Sequence, residues 1–420
     1  MNIKFLLTTT CIATALSATA QKADVGYAIT GDGNKDFIWM NIREVDLNTG
    51  TITKTLFERS KTPYQLIDVN TKKVTTADAI KNGNIFSTTD YPTSTFVAAA
   101  ALDARGKKLY FTPMRMGELR WLDLNIKNGT PTFFTLRSEV LNFSNTMHSA
   151  DEAKNITRMV IAPNGKGYAV TNDASHFIEF TTGKMPVIKD LGSLIDAEEN
   201  KGISITNKCT SWGGDMIADA FGKLYIISAN KNVFVIDPET RIATHKGAIK
   251  GLPVQYTANG AAVSADGDII VTSANFFEGY YKVKLADLTA EKMEGSDVKY
   301  NAADLANGRF LLQKEADKTN QLELADLPAP VFTGTESKIY PNPVTNGQFY
   351  VSLEGQKDGR YHVLITDLAG RTLQSTPVQV AKGKQMVRVA VTGRPVKGMY
   401  MVKVVNSDKQ TVITDKIIIE

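Results

Sequence analysis

Residues Ala101–Phe111 read ALDARGKKLYF: an apolar run, a turn that contains glycine, and a second apolar or aromatic run. Glycine in such a turn supplies the positive φ that tight β-hairpins need. The same pattern returns as IAPNGKGYAV (Ile161–Val170), IADAFGKLYII (Ile217–Ile227), VSADGDIIV (Val263–Val271) and ADLANGRFLL (Ala303–Leu312). The body of the chain is therefore predicted to repeat one unit that is built on a hairpin.

A second pattern, a strand that ends in an aspartate-led turn, accompanies the hairpins, for example at Val45–Gly50 and Val235–Pro238. Each unit thus holds about four short strands, and repeats of roughly 40–60 residues with four strands predict an all-β propeller. Five clear units and a degenerate one at Gly26–Phe57 predict six blades. Seven blades are the alternative, because residues 51–95 are long enough to hold another. We expect the strand Val25–Thr30 to complete the last blade and close the ring.

The repeat also resembles a known fold family. Over most of residues 23–327 the turn pattern is similar to that of propellers of the NHL and quinoprotein-like type. This resemblance implies an architecture and no particular chemistry. A parallel β-solenoid is the rival fold, but its repeats are usually shorter.

Composition and the N-terminus limit the class of protein. The 420 residues are 43% hydrophobic and 22% charged with a net charge of +4, which is ordinary globular composition and does not favour nucleic-acid binding. Met1–Ala20 reads as a signal peptide, with Lys4, a short apolar run and an A-x-A cleavage site at Ala18–Ala20. No other run is long and apolar enough to span a membrane. The predicted domains are a signal peptide (1–20), a propeller (21–327), a linker (328–336) and a tail domain (337–420).

The tail domain alternates apolar and polar residues in short strands, which predicts a small immunoglobulin-like β-sandwich. Three motifs follow one another: Tyr340-Pro341-Asn342-Pro343, then VLITDLAGRTLQ (Val363–Gln374) with Asp367 and Gly370, then Gly398-Met399-Tyr400. Together they resemble the type A C-terminal sorting domain of the type IX (Por) secretion system of Bacteroidota. The resemblance implies the type IX machinery as a partner and passage through the periplasm to the outer-membrane surface or the medium. The chain ends in Glu420, where members of that family often end in Lys or Arg.

A search for catalytic motifs finds no HExxH, no G-x-S-x-G and no P-loop. We therefore expect no cofactor, and we expect a binding protein rather than an enzyme. Asp32, Asn34 and Asp36 alternate as calcium ligands do, but the glycine expected at the sixth position of such a loop is absent. A solvated turn is the competing interpretation of this stretch.

The long connections between blades are predicted to carry the ligand site, since aromatic side chains beside polar groups suit a sugar or a peptide. The candidate residues are His148, Asp151, Trp212, Asp215 and Tyr256. The first hypothesis is a secreted or surface propeller that binds a glycan, a peptide or a protein. The alternatives are a structural surface component, which a plugged axis would favour, and an enzyme of the lyase, glycosidase or lactonase type. The enzyme would need two carboxylates that face the channel, or a histidine with a metal ion.

Overall fold

The computed structural model describes residues 24–33, 36–77, 91–145, 151–276, 278–295, 300–326, 339–345, 347–353, 356–367, 371–380, 386–392, 397–408 and 410–419. The predicted signal peptide and linker lie outside the described residues, as do Asn34, His148 and Gly370. The chain divides into two compact units, Met1–Asn320 and Gln321–Glu420.

The first unit consists of short strands joined by tight turns. In chain order its strands are β1 (Val25–Thr30), β2 (Asn41–Asp46), β3 (Thr51–Phe57), β4 (Tyr64–Asp68), β5 (Val74–Ala77), β6 (Val97–Asp103), β7 (Lys108–Pro113), β8 (Glu118–Lys127), β9 (Thr130–Arg137), β10 (Ile156–Ile161), β11 (Lys166–Thr171), β12 (Phe177–Thr181), β13 (Ile188–Asp190), β14 (Ile195–Asp196), β15 (Asp215–Ala218), β16 (Leu224–Ile227), β17 (Asn232–Ile236), β18 (Ile242–Ala248), β19 (Gly260–Val263), β20 (Ile269–Thr272), β21 (Tyr281–Val283), β22 (Ala290–Lys292) and β23 (Ala302–Ala306). Short helical turns occur at Glu139–Ser144, Glu198–Asn200 and α1 (Lys208–Ser211).

These strands form a β-propeller, as predicted. Within the described residues there are five sheets, whose strand orders are β23-β1-β2-β3, β6-β7-β8-β9-β4-β5, β10-β11-β12-β13, β15-β16-β17-β18-β14 and β19-β20-β21-β22. We call these sheets blades 1 to 5. Their innermost strands β23, β6, β10, β15 and β19 contact one another in that order, and β19 contacts β23 again. The five innermost strands therefore close a ring around one axis.

The prediction of six blades is wrong for the described part of the chain. The stretch ADLANGRFLL is not a hairpin: only its first half forms a strand, β23, and the N-terminal β1 takes the place of the second strand. The fifth repeat and the degenerate unit at Gly26–Phe57 are therefore two halves of blade 1. As expected, the N-terminal strand completes the last blade, with Ala28 opposite Leu305 and Ile29 opposite Asp304.

No additional blade appears among the described residues of 51–95 either. Strands β4 and β5 instead extend the outer edge of blade 2, where β4 runs parallel to β9. The aspartate-led turns lie where they were predicted, before the outermost strands. In blade 4, for example, Asp237 accepts the Glu239 amide through its side chain and the Arg241 amide through its carbonyl.

Each innermost strand begins at one face of the ring, which we call the upper face, and ends at the other, the lower face. After β23 the chain crosses the lower face. The Asn307 side chain bonds both backbone groups of Val263, and Leu311 bonds the carbonyl of Ala218 and the amide of Ala220. We call residues 307–311 the strap. Helix α2 (Gln313–Asp326) follows it.

The second unit is a sandwich of two sheets, as predicted for an immunoglobulin-like domain. Its strands are β24 (Ile339–Tyr340), β25 (Gln348–Ser352), β26 (Gly359–Thr366), β27 (Thr372–Val380), β28 (Met386–Ala390), β29 (Gly398–Asn406) and β30 (Thr411–Ile419). The sheet orders are β24-β25-β28 and β27-β26-β29-β30. The alternate residues Tyr361, Val363 and Ile365 of β26 point into the core between the sheets, together with Tyr400 and Val402 of β29.

Ring closure depends on a buried carboxylate at the start of the first blade. Asp24 is 3% exposed, accepts the Ala265 amide at 2.9 Å and pairs with the Arg309 guanidinium at 2.8 Å. We predict that Asp24→Ala lowers the free energy of unfolding by about 2 kcal/mol, because the Arg309 guanidinium and the Ala265 amide both lose their partner. Urea denaturation followed by tryptophan fluorescence measures this change.

The matched control is Asp266→Ala, which removes a carboxylate that is 71% exposed and pairs with Lys282 at the surface. Such pairs contribute at most about 1 kcal/mol. Equal effects of the two variants would contradict the role given to Asp24.

Candidate functional site

The axis of the propeller is closed to ligands. The innermost strands line it largely with alanine and other apolar residues, including Ala100, Ala218, Ala261 and Ala306, and the cavity that remains is about 10 Å³. That is about the space of one water molecule. The strap lies across the lower end of this cavity, since Asn307 and Arg309 are part of its wall. A ligand therefore has to bind on a face or in a groove of the ring.

Two carboxyl groups lie at the upper part of the axis. Asp215 starts β15, Asp304 lies in β23, and both are fully buried. Burial raises the pKa of both groups, and the neighbouring Asp215 raises that of Asp304 further. Neither carboxyl group is part of the wall of the three cavities described for this unit.

A buried arginine fixes the loop that carries Trp212. The guanidinium of Arg158 is fully buried and donates to the carbonyls of Thr171 at 3.1 Å, Gly213 at 3.0 Å and Ser211. Burial lowers the pKa of Arg158 to about 10, so the group stays charged at neutral pH. Trp212 itself is half-buried on the upper face.

The Trp212 side chain is already engaged within its own loop. Its Nε1 donates to the Thr206 carbonyl at 3.1 Å, and the Lys208 ammonium lies 5.0 Å from the ring centroid. This is a cation–π contact at a partly exposed site. A ligand that stacks on Trp212 would have to displace Lys208.

Of the four predicted ligand residues that the structure describes, Asp215 and Tyr256 are buried, whereas Trp212 and Asp151 reach the surface. Tyr256 is 1% exposed, and its hydroxyl donates to the carbonyls of Val271 and Gly279 at 3.0 Å each. Tyr256 and Asp215 are thus core residues, whereas Asp151 is exposed in a turn and accepts the Ala153 amide. His148 lies outside the described residues. Ligand contact by Trp212 or Asp151 stays a prediction.

The carboxylate oxygens of the predicted calcium ligands Asp32 and Asp36 accept hydrogen bonds from neighbouring protein groups. Asp32 pairs with Arg59 and accepts the Asn41 amide group at 2.9 Å, while Asp36 accepts the backbone amides of Asp32 and Ile38. Asn34 lies outside the described residues. Among the residues that the structure describes, no three His, Cys, Asp or Glu side chains are grouped as metal ligands.

A groove that the repeats do not predict lies among the described residues of the first unit. It is a groove of about 670 Å³ on the lower face, between the β19–β20 turn, the β21–β22 turn and residues 308–315, and we call it the lower-face groove. Leu285, Phe310 and Leu312 supply its apolar part. Three basic and three acidic side chains surround them: Lys284, Arg309, Lys314, Asp266, Asp268 and Glu315.

A second cavity lies next to the lower-face groove. It measures about 410 Å³, shares Leu285 and Ala286 with the first, and extends along blade 4 to Lys246 and Lys250. The only acidic side chain in its wall is Asp287. The lower-face groove could not be found from the repeats, because ADLANGRFLL reads as a hairpin although its second half becomes the strap. The sequence after Leu312 lacks the alternation of a further strand, and this could have indicated that the fifth repeat is incomplete.

In the second unit, the tail motifs meet at the last strand. The Asn342 side chain donates to the Lys416 carbonyl at 2.8 Å and accepts the Ile418 amide at 2.9 Å, and the Val344 amide donates to the Ile418 carbonyl at 2.7 Å. Proline has no amide donor and suits a sheet edge. The YPNP segment therefore covers the free edge of β30.

The other tail motifs have structural roles as well. Asp367 accepts the Arg371 amide at 2.9 Å and closes the turn after β26, as predicted, although Gly370 is outside the described residues. Tyr400 packs in the sandwich core, next to Gly398 at the start of β29.

Comparison with known proteins identifies the tail. Residues 338–420 match the family described as the secretion system C-terminal sorting domain. The chain is thus a type IX secretion substrate, found at the cell surface or outside the cell. None of the described helices is long and apolar enough to cross a bilayer. No curated protein sequence matches the chain.

Similarities to solved structures are weak. PorZ, a surface component of the type IX secretion system of Porphyromonas gingivalis, is 12% identical with a TM-score of 0.30 over 94% of this chain. The chain covers 51% of PorZ, about half its length. An inactive virginiamycin B lyase from Staphylococcus aureus is 9% identical with a TM-score of 0.29, covering 76% of this chain and 83% of that one. A protein of unknown function from Bacteroides thetaiotaomicron is 12% identical with a TM-score of 0.31, covering 61% and 75%. These likenesses identify no activity.

The edge contacts of Asn342 lead to a prediction about export. We predict that Asn342→Ala destabilises the tail domain by about 1–2 kcal/mol, because two hydrogen bonds are lost at the edge of β30. The secreted fraction of the full chain should fall as well, since the sorting domain no longer holds its last strand. Immunoblots of periplasm, cell surface and medium from the producing bacterium measure this fraction.

The control is Thr414→Ala, an exposed position on the same strand. We expect it to leave export unchanged. Normal export of Asn342→Ala would show that the hydrogen bonds between YPNP and the last strand are not required for export.

Proposed function

We propose that this type IX-exported propeller is a surface binding protein, and that it holds an extended peptide segment in the lower-face groove. The observation that carries the proposal is that two neighbouring cavities share Leu285 and Ala286 in their walls. Ligand sites typically measure about 300–1,000 Å³, and the larger cavity alone lies in that range. A long groove suits an extended chain better than a compact sugar.

The lining of the groove favours particular side chains in the ligand. Leu285, Phe310 and Leu312 offer an apolar surface, on which apolar side chains of a peptide would be removed from water. The charges of the larger cavity balance, while Lys246 and Lys250 outnumber Asp287 in the smaller one. We therefore infer a peptide with apolar residues and a net negative charge, since complementary charge guides association.

A structural surface component is the second candidate, and one observation favours it. The axis is closed by the strap below and by packed innermost strands within, so the ring has no ligand channel. A protein of this kind would bind neither peptide nor glycan. A peptide-binding measurement separates the two proposals.

The test uses the mature chain and a fluorescein-labelled octapeptide with an apolar centre and glutamate at both ends. We predict that the double variant Lys246→Glu/Lys250→Glu weakens its binding by at least about tenfold, which corresponds to 1.4 kcal/mol, because attraction becomes repulsion. Fluorescence anisotropy at two salt concentrations measures the dissociation constant.

The matched control, Lys54→Glu/Lys189→Glu, reverses two exposed lysines on blades 1 and 3 and leaves the groove intact. If both double variants lost the same affinity for the peptide, the effect would come from the net charge of the protein and not from the groove. Binding that survives in the groove variant and is lost in Trp212→Ala would move the site to the upper face. An absence of binding to this peptide, and to a panel of glycans, would favour the structural component.

A further inference from the structure

The carboxyl pair at the axis is not used by the proposed function, and its hydrogen bonds differ between the two partners. Asp215 Oδ1 accepts the Met216 amide at 2.6 Å, and its Oδ2 accepts the amides of Ala261 at 2.6 Å and Leu305 at 3.3 Å. Three N–H donors thus point at one carboxylate. Such an arrangement stabilises the ionised form of Asp215.

Asp304 has the opposite environment. The side chain is fully buried, and neither of its oxygens has a described donor within ordinary hydrogen-bond geometry, although the Ala100 amide is directed at it. Its neighbour is the Asp215 carboxyl. Two ionised carboxylates in contact inside a protein repel each other strongly, and pairs of this kind hold one proton between them. A protonated Asp304 would both remove the repulsion and donate to Asp215.

No described cation on the surrounding strands is directed at the Asp304 carboxyl group to neutralise it. The nearby cation, Arg158 of β10, directs its guanidinium at three backbone carbonyls. Strands β6 and β19 present Ala100 and Ala261 at this level of the axis. The axial cavity of about 10 Å³ touches the neighbouring residues Met216 and Leu305, but neither carboxyl group is part of its wall. A single proton is the species that fits.

We propose that Asp304 keeps its proton at neutral pH and donates it to Asp215, and that this proton-held pair is a pH-sensitive clasp of the ring. Through the Asp215 carboxylate the clasp joins β15 of blade 4, β19 of blade 5 and β23 of blade 1. Loss of the proton leaves two buried negative charges side by side. The ring then loosens at alkaline pH.

The sign of the pH dependence follows from proton binding in the two states. In the unfolded chain an aspartate loses its proton near pH 4, whereas the buried pair retains one proton to a much higher pH. The folded state therefore binds one more proton between these limits. The contribution of Asp304 to stability is fully present below about pH 4 and falls as the pH rises, by a factor of about ten in the folding equilibrium constant per pH unit, until the folded pair loses its proton.

The experiment compares the wild-type mature chain with Asp304→Asn, whose amide can donate to Asp215 at every pH. Trp39, Trp121 and Trp212 are the three tryptophans of the chain and all lie in the first unit, so their fluorescence reports unfolding of the propeller. Urea titrations at pH 6, 7 and 8 give the folding equilibrium constants. We expect the folding equilibrium constant of Asp304→Asn, divided by that of the wild type, to increase about tenfold per pH unit.

A second variant tests which partner holds the proton. Asp215→Asn places an amide N–H group against backbone N–H donors, so we expect it to be less stable than Asp304→Asn at each pH. A pH-independent ratio for Asp304→Asn would overturn the proposal. The proposal would also be overturned if CaCl₂ or NaCl stabilised the wild type at pH 9 but did not stabilise Asp304→Asn. The carboxyl pair would then be a cation site. The reverse ranking of the two variants would overturn the assignment of the proton to Asp304.

Discussion

The pairing of β1 with β23 is the contact on which the rest of the propeller depends. A single blade exposes both of its faces and its inner edge, and it buries its apolar surface only when neighbouring blades close into a ring. Here closure joins strands that are about 270 residues apart in sequence, with Ala28 opposite Leu305. The Asp24–Arg309 ion pair on the lower face adds a second link between the same two segments.

Closure in this manner also determines where a ligand can bind. Because the N-terminal strand takes the second position of blade 1, the chain that leaves β23 has no place in the sheet and crosses the lower face as the strap. The strap closes the axial cavity and at the same time forms one wall of the lower-face groove. The same segment thus removes the usual axial site of a propeller and creates a peripheral one.

The tail domain solves an edge problem of a different kind. A sandwich with open sheets leaves an unpaired strand at each edge, which invites unwanted pairing. Asn342 and Val344 occupy the edge of β30, and the two prolines beside them cannot continue the ladder. The first motif of the sorting domain and its last strand are therefore parts of one structural feature, although they lie more than 70 residues apart in sequence.

The sequence by itself determined the local elements and the export route. The turn glycines and the aspartate-led turns predict hairpins because their backbone requirements are satisfied within a few residues, and the order of the tail motifs identifies the sorting domain. Tertiary structure alone decided the blade count, the burial of Asp215 and Tyr256, and the lower-face groove. These features depend on which distant strands pair: ADLANGRFLL has the composition of a hairpin, but β1 competes for its partner position and wins. A local pattern cannot reveal such a competition, since its outcome is settled by closure of the whole ring.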